Sequence, residues 1–125
     1  MTNPSKSLGR LTRRSEFLAA AKARYRANGA VLVQMRPRQD GSDEVRAGFT
    51  ATRKVGGAVV RNRAKRRLRA VARALLPELG VAGCDYVFVA RSGAPDRDWP
   101  LLLEDARRAL ALLSRQFSEP EGQRP

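Results

Sequence analysis

At 125 residues, 42% of them hydrophobic and 30% charged, the chain is sized for one domain and composed to fold rather than to stay disordered. Its 25 Lys and Arg against 12 Asp and Glu leave a net charge of +13 and a pI near 11.5, beyond what solubility requires, which points to nucleic acid ahead of an anionic membrane. There is no histidine, so a Ser-His-Asp triad, a histidine zinc site and a histidine general base are all excluded.

Residues 1–9 read as a flexible basic lead-in with no apolar h-region, and no apolar run is long enough to span a bilayer. A cytoplasmic, membrane-free protein is expected. A helix is predicted from Leu11 along LTRRSEFLAAAKARY, with Thr12, Ser15 and Glu16 as capping options and Asn28-Gly29 as its end. Phe17 is a core candidate, although its setting among Arg13, Arg14 and Lys22 also suits a stacking surface beside phosphate-binding charges.

Ala30 to Arg36 reads as a strand with Val31, Val33 and Met35 on one side, and Glu44 to Thr52 as a second, antiparallel strand with Val45, Ala47, Phe49 and Ala51 on one side. The Asp- and Gly-rich segment between them reads as a hairpin turn. Its acids, Asp40, Asp43 and Glu44, are expected to be solvated rather than metal-binding. Arg53-Lys54-Val55-Gly56-Gly57 lacks P-loop spacing, so a nucleoside triphosphate site is not indicated.

A long helix follows, closed at Pro77 to Gly80. Val60, Ala64, Leu68, Val71 and Leu75 form its apolar stripe, and Arg61, Asn62, Lys65, Arg66, Arg69 and Arg73 its opposite side. From Val45 through Pro77 there is no acid at all. Like charges one turn apart destabilise a helix by roughly 0.2–0.5 kcal/mol per pair, so the unneutralised ladder calls for an external polyanion. Arginine's planar fork of donors suits phosphate oxygens. Asp85 to Arg91 reads as a buried strand, and a last helix runs from Trp99-Pro100 to Phe117 with a disordered tail over 118–125. The lone Cys84 is expected to be a buried, inert thiol. No catalytic residue and no protein metal site are predicted. On composition and pattern alone, a structural RNA-binding protein and a DNA-binding regulator both stay open, though Asn62 is the only uncharged polar side chain between Arg61 and Arg73, which leaves little for base readout.

The run GFTATRKVGGAVVRNRAKRRLR, together with RLTRRSEF upstream and DYVFVAR downstream, resembles the bacterial ribonuclease P protein subunit over about residues 10–117. The resemblance implies an α+β, two-layer sandwich of order α-β-β-(β)-α-β-α, ribosomal-protein-like, with a left-handed β-α-β crossover. It also implies a subunit of a ribonucleoprotein endonuclease whose chemistry lies in a catalytic RNA. That RNA would hold Mg²⁺ and remove the 5′ leader of precursor tRNA, with this chain bound as a monomer in a 1:1 complex. By position, Arg53, Lys54, Arg61, Asn62, Arg63, Lys65, Arg66 and Arg69 fall to RNA binding, and Arg10, Arg13, Phe17, Met35 and Phe49 to a cleft for the single-stranded leader. The chain departs from relatives in having Ala21 and Met35 where some carry aromatics, and Gly57 where Asn is frequent.

Overall fold

The structure, a computed structural model, describes residues 8–118; the predicted lead-in up to residue 7 and the tail from 119 onward lie outside the described residues. In chain order the elements are β1 (Leu8–Arg10), α1 (Arg14–Ala21), β2 (Arg24–Asn28), β3 (Val31–Pro37), β4 (Val45–Ala51), α2 (Ala58–Leu79), β5 (Cys84–Ala90) and α3 (Trp99–Ser118). One sheet carries all five strands in the order β1-β4-β5-β3-β2.

The alternation of β3 and β4 sets the main core. Val31, Val33, Met35, Val45 and Ala47 join Cys84, Tyr86 and Phe88 on one face, under Ala64, Leu68, Val71 and Leu75 of α2 and Leu102, Ala106, Leu110 and Leu113 of α3. On the other face, Leu11, Phe17 and Ala20 pack on Val87 and Val89. The α+β class therefore holds, with α2 and α3 as one layer and the short α1 partly covering the second face. Burial pushes the Cys84 thiol up to about 11, which keeps it protonated and unreactive at neutral pH.

Three expectations change. Residues 24–28, predicted as the end of the first helix, are instead strand β2, paired antiparallel with β3 from Arg24↔Met35 to Asn28↔Val31. Asn28-Gly29 is the start of a hairpin, and Gly29 has φ +57. Leu8 to Arg10, placed largely in the lead-in, forms edge strand β1, parallel to β4. Finally, β3 and β4 run antiparallel but do not pair. β5 lies between them, antiparallel to β3 and parallel to β4, so α2 is the crossover between parallel neighbours β4 and β5. The optional extra strand near Arg53 is a single 3-10 turn, Arg53–Val55.

Asp105, buried on α3, holds the β2–β3 turn in place. It accepts the Ala30 N–H at 3.0 Å and is gripped by Arg97 at 2.6 and 3.1 Å. A Cβ on Gly29 would sit 2.3 Å from that carboxylate, on a backbone that disfavours side chains. Gly29→Ala is therefore expected to destabilise the fold by about 1–3 kcal/mol in urea unfolding. An unchanged midpoint would show that Asp105 does not hold this turn.

Candidate nucleic-acid interface

The long helix divides its arginines between two flanks. Toward α3, Arg67 donates to the Ala94 carbonyl at 2.7 Å and to the Arg97 carbonyl, so it braces the loop ahead of α3. Arg63 reaches Asp96 at 3.0 Å in an exposed pair that contributes little to stability. On the opposite flank Arg61, Lys65, Arg69 and Arg73 follow one another a turn apart, with Asn62 and Arg66 pointing further outward. None of these cations has an acidic partner among the described residues; the ion pairs found lie elsewhere. A shallow concavity over Val59, Asn62, Lys65, Arg66 and Arg69 offers their donors together.

The sequence placed Arg61 opposite the apolar stripe. The structure instead leaves Arg61, Lys65 and Arg69 half-buried on the flank beside the sheet, as long side chains whose aliphatic stems rest on protein are. Arg53 and Lys54 are exposed on the 3-10 turn at the start of this flank.

A groove opens on the α1 face. The Phe17 ring lies directly on Gly48, where an added Cβ would come within 2.6 Å of it, so the glycine makes the seat for the ring. Thr12, Arg14, Phe17 and Thr50 line one end of the groove. Thr50 is the cross-strand partner of Val89, which pairs in turn with Leu32, so the floor runs across three strands. Leu32, Thr52, Lys54, Val89 and Arg91 line the other end. The floor is uncharged and both ends are basic, which suits an extended strand whose bases lie on apolar surface and whose phosphates meet cations.

Helix α1 is held over this face by a chain of charges. Glu16 accepts the N–H groups of Thr12 and Arg13 at 3.1 and 3.0 Å, and the Arg13 bond is the chief reason its carboxyl is held below the ordinary value. Arg46 reaches Glu16 at 3.1 Å and grips Asp85 at 2.8 and 3.0 Å. Asp85 is fully buried and also accepts from Arg38 at 2.8 Å and Arg36 at 3.4 Å. Arg38 in turn binds Asp40 and the Glu44 carbonyl, so Asp40 of the acidic loop is structural.

Of the five residues assigned to the leader cleft, Phe17 lies in the groove and Arg13 is exposed at the start of α1 beside it. Met35 does not: it has no exposed surface and belongs to the core beneath α2 and α3, because it alternates with Gln34 onto the covered face. Arg10 and Phe49 lie on the α2 side of the sheet, in a pocket with Arg69 and Arg73. Thr50, Leu32 and Arg91 were missed as groove residues, since only the register across β4, β5 and β3 brings them together. Arg73 was left out of the RNA-binding set although it continues the turn-by-turn ladder, a signal visible in the sequence.

The sequence matches the family model described as Ribonuclease P over residues 6–114. It is 54% identical over 105 residues to the ribonuclease P protein component of Caulobacter vibrioides, covering 84% of this chain and 70% of that protein. It is 50% identical over 111 residues to that of Ruegeria pomeroyi, covering 87% and 89%. Among solved structures it is similar to the RNase P protein from Thermotoga maritima, with a TM-score of 0.67, 29% identity, and 85% of this chain and 96% of that one covered.

Proposed function

This chain belongs to the ribonuclease P protein family, and from that premise we propose how its surface is divided between RNA partners. It is a protein subunit of ribonuclease P, the ribonucleoprotein endoribonuclease that processes tRNA 5′ ends, and its partner is the ribonuclease P RNA. In our reading the flank from Arg61 to Arg73, with Arg53 and Lys54, binds phosphates of that RNA. The groove beside Phe17 takes the single-stranded 5′ leader of the precursor tRNA. The complex is 1:1, and it works in the cytoplasm. The observation that carries this reading is the pairing of an acid-free basic flank with a separate groove that has an aromatic wall and an uncharged floor.

Ribonuclease P requires metal ions. Among the described residues no three Asp, Glu, Cys or His side chains come together to hold one, and the chain has no histidine. The side chains here do not fit a metal site. We therefore assign the Mg²⁺ to the RNA, and this chain's part is to bind, orient and screen charge between two polyanions. That screening should count most at low salt and low Mg²⁺.

The test is cleavage of a leader-bearing precursor tRNA at low Mg²⁺ by a bacterial ribonuclease P RNA alone, by this protein alone and by both. Efficient cutting at the mature 5′ end only in the combination is expected. A protein that binds structured RNA yet leaves the RNA's activity unchanged would make it a structural RNA-binding protein instead. In the same assay Phe17→Ala should weaken affinity for leader-bearing precursor by about 5- to 100-fold, the range for removing one aromatic stack on a base, with far less effect on mature tRNA. Equal losses on both would return Phe17 to a packing role.

A further inference from the structure

On the opposite side of the sheet from the Phe17 groove, between β1 and α2, lies a pocket of about 260 Å³ whose walls include Leu8, Arg10, Phe49, Arg69 and Arg73. We propose that it is a second RNA site, separate from the leader groove, which takes one unpaired nucleotide with its base beside Phe49 and Arg69 and its phosphates on Arg10 and Arg73. The proposal rests on the family reading above and adds a site to it.

The space exists because Ala47 and Ala72, which lie between the long side chains of the lining, are small. Phe49 is half-buried and cannot fold inward, because its ring is stacked on the fully buried Phe88 at 5.7 Å and 26°. Its other neighbour is the Arg69 guanidinium, 5.5 Å from the ring centre. An aromatic ring with a planar cation against it is a surface on which a nucleobase stacks. No acid lines the pocket, and Arg10 and Arg73 add two further cations to its lining.

The pocket is also continuous with the basic flank. Arg69 and Arg73 are the last two rungs of the ladder that starts at Arg61, so a backbone tracking α2 is led into it. A base stacked within a duplex does not present its face to such a pocket, so the nucleotide must be unpaired. β1 is the edge strand, and the side of its backbone turned away from β4 offers amide groups for the edge of a base. The nucleotide comes either from ribonuclease P RNA or from the precursor leader.

The experiment uses holoenzyme reconstituted with Phe49→Leu, which keeps an apolar side chain against Phe88, and with Arg10→Gln, an exposed change outside the core. Two affinities are measured: protein for ribonuclease P RNA without substrate, and holoenzyme for precursors with long and one-nucleotide leaders. Phe49→Leu is expected to weaken one of them roughly 10-fold, with the thermal midpoint nearly unchanged. A loss in the first assigns the nucleotide to the ribonuclease P RNA. A loss confined to long leaders assigns it to the leader. If Phe49→Leu lowers the midpoint strongly, Arg10→Gln decides: the salt slope of the affected binding should fall by about one. Wild-type affinities and slopes in both variants, with normal cleavage, would overturn the pocket and leave the family reading standing. A wild-type protein that fails to stimulate the RNA would instead remove the premise.

Discussion

Replacing Asp85 with Asn is expected to lower the unfolding free energy by about 3–5 kcal/mol, because it removes the one buried counter-charge that three arginines share. The carboxylate has no exposed surface and accepts from Arg36, Arg38 and Arg46, and the Arg38 side chain is only 4% exposed. The substitution keeps the shape and removes the charge, so the loss is electrostatic rather than a cavity. It should also loosen α1, since Arg46 is the bridge from Asp85 to Glu16. A drop of more than about 10 °C in the thermal midpoint is the expected reading by circular dichroism. A midpoint within a degree or two of the parent would mean that the arginines are hydrated in solution and that Asp85 is not the anchor.

The second large effect is on RNA. Arg61→Ala with Arg66→Ala should weaken binding to ribonuclease P RNA by about 10- to 100-fold at moderate salt, and should flatten the dependence of log affinity on log salt by about two, one for each phosphate no longer neutralised. Neither side chain has an acidic partner among the described residues, so their removal costs the fold little. Arg67→Ala is the internal comparison. It lies in the same basic run but donates to the Ala94 and Arg97 carbonyls, so it should lower stability and leave the salt slope unchanged. If the slopes of the two variants are equal, the division of α2 into an external and an internal flank is wrong.

That division shows where sequence reading stopped. The stripe through Ala64, Leu68, Val71 and Leu75 is legible as helical period, and the structure buries those residues. The period gives a stripe its direction but does not say what stands on either side of it. Arg63 and Arg67 look like their neighbours in sequence and differ only because the loop before α3 comes to lie against them. Asp85 reads as one polar residue at the head of an apolar strand; its three arginines come from positions 36, 38 and 46. Met35 and Phe49 alternate correctly in their strands, yet the covered face proved to be the one under α2 and α3 for both.

The strand β2 was missed for a local reason. Ala-rich helix formers run into Arg24 without a breaker, and Asn-Gly serves equally as a helix stop and a hairpin turn. Pairing with β3 settles the choice. The insertion of β5 between β3 and β4 has no local signal, because the short acidic loop joining them reads as a hairpin turn.

By itself, then, the sequence determined the class of partner and the faces of the long elements. The charge of +13, the acid-free stretch and the helical and strand periods are properties of neighbouring residues and survive any arrangement of the elements. Only the tertiary structure decided which cations are spent on the protein's own carboxylates and carbonyls, and which aromatics border open grooves. Those outcomes depend on pairings between residues far apart in the chain, such as Arg46 with Asp85 and Phe17 with Gly48, and no local spacing encodes them.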